Sequence, residues 1–264
     1  MRAPELTADQ QHSVRAVVAK LAEFAPFLLR GVTGSGKTEV YFAVIAEVLA
    51  RGRQALILIP EINLTPQLID RFRERFPAVP LAALHSNLAE GERLRGWREA
   101  QAGRARVVIG TRLAVFTPLP QLGLVIVDEE HDASFKQQDG LRYSARDLAL
   151  LRAKRRAVPA LLGSATPALE SYANARAGRY ALLSLPSRAG AALPQIRCVD
   201  TRRERLRHGL SQTLVEAIGA RLACGEQSLV FVNRRGYAPA LVCPACGWTS
   251  PCTRCSARLV LHLK

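Results

Sequence analysis

The sequence predicts an α/β fold built on a parallel sheet. Short apolar runs recur along the chain, and stretches compatible with helices lie between most of them. Because the runs are apolar at consecutive positions, both faces of the sheet should be covered by helices, and ligands should bind where the strands end. The predicted strands are Phe27–Leu29, Ala55–Ile59, Val107–Ile109, Leu124–Val127, Ala160–Leu162 and Leu229–Val232.

The composition favours a globular protein that binds a polyanion. The 264 residues are 48% hydrophobic and 22% charged, which excludes a disordered or low-complexity chain. Lys and Arg number 37 against 22 Asp and Glu, a net charge of +15 at pH 7 that favours nucleic acid as a partner. No apolar stretch approaches the roughly 20 residues that cross a bilayer, and residues 1–7 lack a secretion signal. We therefore expect a cytoplasmic protein without a membrane partner.

A change in composition divides the chain. The segment Leu185–Pro194 is rich in Pro, Gly and Ala, and the basic run Arg202–Arg207 follows it, which indicates a linker. A predicted helix from about Ser211 to Ala223 then leads into the last predicted strand. The chain stops within a strand-like alternation, Leu259–Lys264, so we expect a truncated piece of a longer protein. The expected parts are a first lobe (1–185), a linker (186–210), the start of a second lobe (211–242) and a truncated insertion (243–264).

A phosphate-binding loop follows the first predicted strand. The segment GVTGSGKT matches G-x4-G-K-[ST] in front of a helix expected near Glu39. Backbone N–H groups of such a loop wrap the phosphates of ATP, Lys37 would reach the β- and γ-phosphates, and the Thr38 hydroxyl would bind Mg²⁺. The candidate nucleotide-binding residues here are Gly31, Val32, Thr33, Gly34, Ser35, Gly36, Lys37 and Thr38.

Gln10 has two interpretations. The segment Thr7–Gln10 is typical of a helix capping box, in which Thr7 is the N-cap and Gln10 reaches back to it. Gln10 also precedes the phosphate loop by about 20 residues, and its amide could bind the adenine edge of ATP. The sequence leaves both interpretations open.

Catalytic carboxylates are predicted at the end of the fourth strand, in the segment DEEH at residues 128–131. Asp128 would hold Mg²⁺, Glu129 would act as general base on the attacking water, and His131 would sense the γ-phosphate. The next strand ends in GSATP, where Ser164 and Thr166 can hydrogen-bond toward His131 and couple the site to the rest of the lobe.

Two cysteine pairs predict a metal site. Cys243 and Cys246 form one C-x2-C pair, and Cys252 and Cys255 form the next. In a reducing compartment this pattern indicates Zn²⁺. The five residues between the pairs are fewer than the roughly 15–20 of a single four-cysteine ribbon, so a shared ion is not expected.

The ordered segments GVTGSGKT, LIPEINLTPQ, IGTR, DEEH and GSATP resemble the superfamily 2 helicases. DEEHDASFKQQDGLRYSARD, GSATPALE and FVNRRGYAPALVCPACGW are similar to the PriA (primosomal protein N′) family of replication-restart helicases, from about Leu6 to the last residue. The resemblance implies RecA-like lobes and an ATP-driven 3′→5′ DNA helicase that recognises and remodels stalled forks. It further implies two zinc ions, each half-liganded here, and as partners forked and single-stranded DNA, primosome proteins, the single-stranded DNA-binding protein and the replicative helicase loader.

The resemblance also implies which residues line the DNA path. Those matching the family's DNA-binding segments are Pro60, Glu61, Thr65, Gln67, Gly110, Thr111 and Arg112. The family's aromatic-rich loop carries Trp-Arg-Tyr, where this chain has Leu141, Arg142 and Tyr143. Arg142 and Tyr143 are therefore candidate DNA contacts, and one stacking ring is lost.

A second departure concerns catalysis. The family's segment Q-x-x-G-R-x-G-R does not occur in this sequence, so its transition-state arginine is absent and the isolated chain is not expected to turn over ATP alone. Two alternatives stay open: another superfamily 2 motor such as an RNA helicase, and a catalytically silent scaffold that binds ATP and DNA.

Overall fold

The structure, a computed structural model, divides into two compact units, Met1–Leu193 and Pro194–Lys264. The division falls within the segment interpreted as a linker. The residues that the structure describes are 5–188, 195–203, 206, 209–231, 241–243, 245–255 and 258–259.

The first unit contains a parallel sheet of seven strands in the order β3-β4-β2-β5-β6-β1-β7. The predicted α/β class is therefore confirmed. The strands are β1 (Pro26–Gly31), β2 (Gln54–Leu58), β3 (Leu81–Leu84), β4 (Val107–Gly110), β5 (Leu122–Asp128), β6 (Ala160–Ser164) and β7 (Ala181–Leu185).

Helices connect the strands and begin behind polar caps. Side-chain oxygens of Thr7, Thr65, Ser144 and Ser211 each accept a hydrogen bond from a backbone N–H in the first turn that follows. The helices are α1 (Ala8–Val18), α2 (Lys37–Ala50), α3 (Pro66–Arg75), α4 (Glu90–Gln101), α5 (Ala145–Arg155), α6 (Leu169–Arg176) and α7 (Gln212–Ala223).

Apolar layers cover both faces of the sheet, as the strand pattern predicts. Leu29 and Ile57 point to the face covered by α1, α2 and α3. Their neighbours Leu28 and Leu56 point to the opposite face, where α4, α5 and α6 pack. Successive strand residues alternate between faces, so a strand buried on both sides is apolar throughout. The carboxyl edge of the sheet stays open for a site.

The sequence prediction missed two strands. β3 and β7 are the outer strands of the sheet, and each leaves part of its surface exposed. The strand predicted at Leu229–Val232 is not formed at its described residues 229–231, where Leu229 is 98% and Phe231 85% exposed. An extended segment needs a hydrogen-bonding neighbour, and no paired strand lies beside it in the described part of the chain.

The second unit holds α7, the predicted helix, and the two cysteine turns. The residues around the turns form antiparallel bridges between Val242 and Thr249 and between Pro251 and Arg258. Whether residues 211–242 begin a second lobe stays a prediction. No helix in the described ranges is both long enough and apolar enough to span a membrane.

Candidate nucleotide site and neighbouring surfaces

The phosphate loop connects the end of β1 to the start of α2. Gly34 and Gly36 have φ angles of 81° and 79°, which glycine adopts at little cost. A Cβ atom on Gly36 would also collide with the side-chain amide of Gln10. The helix α2 begins without a side-chain cap, so its first N–H groups are left for an anion.

Lys37 lies at the centre of this loop. Its Nζ is 3.3 Å from the Gly31 carbonyl oxygen and 3.4 Å from Glu129 Oε1. The Ser35 hydroxyl is buried and has no hydrogen-bond partner among the described residues. A cavity of about 350 Å³ opens here, and its lining includes Thr33, Gly34, Ser35, Gly36, Lys37, Thr38, Asp128 and Glu129. An ammonium group, an unpartnered hydroxyl and free N–H groups together suit a phosphate chain.

Asp128 ends β5 and accepts a hydrogen bond from the Tyr41 hydroxyl at 2.8 Å. Burial raises the pKa of Asp128. Burial and the Asp128 carboxylate together raise the pKa of Tyr41 well above its ordinary value, so Tyr41 stays a donor. The sequence analysis missed Tyr41. Asp128 and Thr38 both line the cavity and supply carboxylate and hydroxyl oxygens, the ligands that Mg²⁺ prefers.

Glu129 lies between the phosphate loop and His131. Its φ of 47° is in the left-handed region, which residues with a Cβ rarely occupy. Through this backbone conformation one carboxylate oxygen comes close to Lys37, and Oε2 lies 3.7 Å from His131 Nδ1. Its side chain is 26% exposed, so water can reach it.

His131 is joined to the end of β6. Ser164 Oγ lies 2.7 Å from His131 Nδ1, and Thr166 Oγ1 lies 3.4 Å from Nε2. The Thr166 N–H in turn donates to Ser164 Oγ at 3.0 Å. The structure thus places His131 and the two predicted coupling residues in one hydrogen-bonded group beside Glu129.

Glu130, which the sequence analysis gave no role, is fully buried and anchors α6. Its carboxylate accepts hydrogen bonds from the Ala168 N–H at 2.7 Å, the Ser171 hydroxyl at 2.7 Å and Arg146 Nη1 at 3.2 Å. The side chains of Glu130 and Arg146 are 0% and 10% exposed. These bonds connect the catalytic segment to the residues after Thr166.

Gln10 forms the predicted capping box and also contacts the phosphate loop. Its Oε1 accepts from the Thr7 N–H at 2.9 Å, and its Nε2 donates to the Ser35 carbonyl oxygen at 2.8 Å. The amide is therefore engaged by the protein at both ends. The adenine interpretation stays a prediction.

The candidate DNA residues follow β2 and β4. Thr65 caps α3, Pro60 is buried, and Gln67 is exposed. Glu61 and Ser86 form a side-chain hydrogen bond. These groups lie past the carboxyl ends of the strands, on the connecting segments and, for Gln67, in the first turn of α3.

The segment after β4 is tightly packed at Gly110. A Cβ atom there would come within 2.5 Å of the Leu84 carbonyl oxygen, so only glycine fits. The Thr111 N–H donates to that same oxygen at 3.1 Å, and Arg112 Nη1 donates to the Ser134 carbonyl oxygen at 3.1 Å.

The loop that matches the family's aromatic-rich loop, residues 141–143, contains one aromatic side chain, Tyr143, and one cationic side chain, Arg142. The Tyr143 ring packs edge-on against Phe116 with centroids 5.2 Å apart, and Arg142 is exposed. Leu141 is 82% exposed where the family's tryptophan was expected. The loop therefore keeps Tyr143 packed close to the segment after β4.

A sequence profile of the DEAD/DEAH box helicases matches residues 7–175. The chain belongs to this family. The matched residues include the whole phosphate loop and the DEEH segment, so the nucleotide site described above lies within the range that the family profile matches.

Curated relatives of the chain confirm the resemblance predicted from its sequence. It is 48% identical over 241 residues to the replication restart protein PriA of Haemophilus influenzae, covering 90% of this chain and 33% of that protein. It is 44% identical over 245 residues to PriA of Bacillus subtilis, covering 91% of this chain and 30% of that one. The chain thus spans about a third of the length of these relatives.

Solved helicase structures share the fold of the first unit of the chain. RecG bound to a three-way DNA junction matches with a TM-score of 0.53 and 26% identity, over 69% of this chain and 24% of RecG. The DEAD-box helicase Mss116, bound to single-stranded RNA, matches with a TM-score of 0.53 and 18% identity, over 70% of this chain and 41% of its own. These matches confirm a RecA-like helicase lobe.

The cysteine pairs of the chain form two separate turns. Hydrogen bonds from the N–H groups of Cys246 and Ala245 lower the pKa of Cys243, and those from Arg254 and Cys255 lower the pKa of Cys252. Gly247 has a φ of 74°, which closes the first turn. No group of three or more potential metal ligands occurs among the described residues. Zinc binding by these four cysteines therefore stays a prediction.

Proposed function

We propose that this chain is the ATP-binding lobe, with the segment that follows it, of a PriA-type replication-restart DNA helicase. The observation that carries the proposal is the arrangement of Lys37, Asp128 and Glu129 around one cavity, inside a chain 48% identical to a PriA protein. The complete protein would use ATP hydrolysis to move 3′→5′ on single-stranded DNA and remodel stalled forks in the cytoplasm.

The residues of the site have separate tasks in ATP hydrolysis. Lys37, whose Nζ is 3.4 Å from Glu129 Oε1, would bind the β- and γ-phosphates. Glu129 would then be free to accept a proton from water. Thr38 and Asp128 would hold Mg²⁺, which when bound neutralises phosphate charge. His131 would pass the state of the site to Ser164 and Thr166, 2.7 and 3.4 Å away.

DNA would follow the loops beyond β2 and β4. The candidate residues there offer hydroxyl, backbone and guanidinium groups, which bind phosphates without reading sequence. Similarity to PriA supports forked and single-stranded DNA as ligands. It also supports, as further proposals, two zinc ions completed by ligands outside the four cysteines, and contacts with primosome proteins, the single-stranded DNA-binding protein and the replicative helicase loader.

The deciding experiment compares nucleotide binding with ATP turnover. The 264-residue chain is titrated with a Mg²⁺–nucleotide complex, and its ATP hydrolysis is measured with and without forked DNA. We expect binding that is lost in Lys37→Ala, with little turnover, because the segment Q-x-x-G-R-x-G-R does not occur in the sequence. Absence of nucleotide binding by the unmodified chain would refute the proposal.

Turnover in that experiment separates the motor from the scaffold alternative. DNA-stimulated hydrolysis that disappears in Lys37→Ala would show that an arginine of this chain, or of a second copy, reaches the γ-phosphate. Binding without turnover, by the chain and by the full-length protein alike, would favour a scaffold that binds ATP and DNA without catalysis.

A further inference from the structure

A second cavity, of about 460 Å³, lies at the carboxyl ends of β3 and β4. We call it the α4 cavity because Arg93 and Trp97 of α4 form one of its walls. It shares no lining residue with the phosphate cavity. Its other walls come from residues 84–86, from the segment 111–117, and from Glu61 and Ser134.

The interior of the α4 cavity is apolar and aromatic. Trp97 is 38%, Phe116 54% and Leu113 66% exposed, although all three are large and hydrophobic. Leu84 and Ala114 are buried beneath them. Phe116 is held edge-on by Tyr143, so its ring is already in place before a ligand arrives. Exposed rings around a pocket are a common platform for a flat, stacking ligand.

The rim of the α4 cavity is cationic and polar. Arg93 is exposed, His85 and Thr111 are half-buried, and the one carboxylate in the lining, that of Glu61, accepts a hydrogen bond from the Ser86 hydroxyl. The guanidinium of Arg112 is fixed through Nη1 by the Ser134 and Lys136 carbonyl oxygens, while its buried Nε has no hydrogen-bond partner in the described part of the chain. The rim therefore suits an anion placed next to an apolar group.

We propose that the α4 cavity receives an unpaired base of the DNA strand, stacked on Trp97 and Phe116. Arg93 and Arg112 would then face the phosphates on either side of that base. A nucleotide joins a flat aromatic group to an anion, which is the combination that the interior and the rim offer together. An apolar protein segment would fill the interior but leave the arginines without an anionic partner. The inference rests on the proposed function, because it needs DNA on this surface.

The fluorescence of Trp97 can report whether a base stacks on it. The chain contains two tryptophans, so Trp248→Phe leaves Trp97 as the only source of tryptophan fluorescence. This variant is titrated with a single-stranded oligonucleotide and with an abasic oligonucleotide of equal length. We expect quenching by the first and little by the second, and binding about tenfold tighter for the strand that has bases.

Further variants separate stacking from phosphate binding. Trp97→Ala should lose that tenfold preference, and Trp97→Phe, which keeps a ring, should restore most of it. Arg112→Ala should weaken both oligonucleotides alike. Leu151→Ala removes a side chain that is 43% exposed on α5, outside the cavity lining, and should change neither titration.

Three results would overturn the inference. Equal binding of the two oligonucleotides with an unchanged Trp97 signal would refute base stacking while leaving DNA binding, and so the proposed function, intact. Quenching of Trp97 by an apolar peptide but not by DNA would assign the cavity to a protein. Failure of both oligonucleotides to bind would refute the proposed function together with the inference.

Discussion

At the scale of single residues, Glu129 combines an uncommon backbone conformation with a central position. Its φ of 47° is unfavourable by on the order of 1 kcal/mol for a residue with a Cβ. Packing of β5 beneath it and the contacts of both carboxylate oxygens hold it there. The carboxylate of Glu129 is thus kept next to the ammonium group of Lys37.

Glu129→Gln should separate nucleotide binding from hydrolysis. The amide fills the same space but cannot accept a proton from water, so in the full-length protein we expect binding within a few-fold of the parent and turnover at least about 100-fold slower. Nucleotide titration and DNA-stimulated phosphate release measure the two quantities. Hydrolysis near the parental rate would remove Glu129 from the role of base.

Asp128→Asn should make the protein more stable while weakening its Mg²⁺-dependent nucleotide binding at least about tenfold. The pKa of Asp128 is raised by burial, so folding favours its protonated form. Ionisation therefore costs stability. The cost is absent below the pKa of the unfolded chain, grows as the pH rises from that value to the folded-state pKa, and is complete above it. Asparagine has no such cost and still accepts from Tyr41.

Urea unfolding without Mg²⁺ measures this effect. The variant should unfold at a higher urea concentration than the parent at pH 7, and the difference should shrink as the pH falls toward 4. A difference that is the same at both pH values would show that ionisation of Asp128 is not its origin.

Sequence reasoning located some residues of the site and missed others for a physical reason. The phosphate loop and DEEH are contiguous, so their spacing alone identifies them. Tyr41 contacts Asp128 across 87 residues, and Ser171 contacts Glu130 across 41. The packing of α2 and α6 against the sheet brings such pairs together. No local pattern in the sequence identifies them.

At the scale of elements, the interior strands could be predicted and the edges could not. β1, β2, β4, β5 and β6 are flanked on both sides and are apolar along most of their length, with a polar residue near one end of all but β4. β3 consists of Leu-Ala-Ala-Leu, a segment with weak β-propensity that the neighbouring β4 stabilises through pairing. The segment at 229–231 shows the reverse case, since its residues are apolar but no neighbour pairs with it in the described residues.

The attachment of α6 depends on the buried carboxylate of Glu130. Glu130→Ala would leave the Ala168 N–H, the Ser171 hydroxyl and Arg146 Nη1 without this acceptor, and should lower the free energy of unfolding by about 3 kcal/mol. Chemical denaturation measures the loss.

Glu170→Ala is the matched control. Glu170 also faces Arg146, at 4.0 Å, but its side chain is 63% exposed, so its removal should cost less than about 0.5 kcal/mol. Equal losses in the two variants would show that burial does not distinguish the two carboxylates.

At the scale of the whole molecule, the net charge is +15. Some of the cations are expected to contact DNA phosphates directly, whereas the others attract DNA only through the overall charge. A positive chain attracts DNA wherever its cations lie, but each cation that contacts a phosphate releases bound counterions and adds to the salt dependence of the affinity. The slope of log K against log salt concentration therefore reports contacts rather than total charge.

The salt slope should identify Arg112 as one of those contacts. For single-stranded DNA each neutralised phosphate contributes about −0.7 to the slope, so Arg112→Ala should make the slope shallower by about that amount. Arg104→Ala removes the same charge from a residue that Glu99 already binds through both of its carboxylate oxygens, at 2.7 and 2.8 Å, and should leave the slope unchanged.

Equal effects of the two substitutions would mean that DNA responds to overall charge alone. A flat salt response of the parent would exclude phosphates as the main attachment. A change confined to Arg112 would instead fix the DNA backbone at the rim of the α4 cavity, within reach of Trp97.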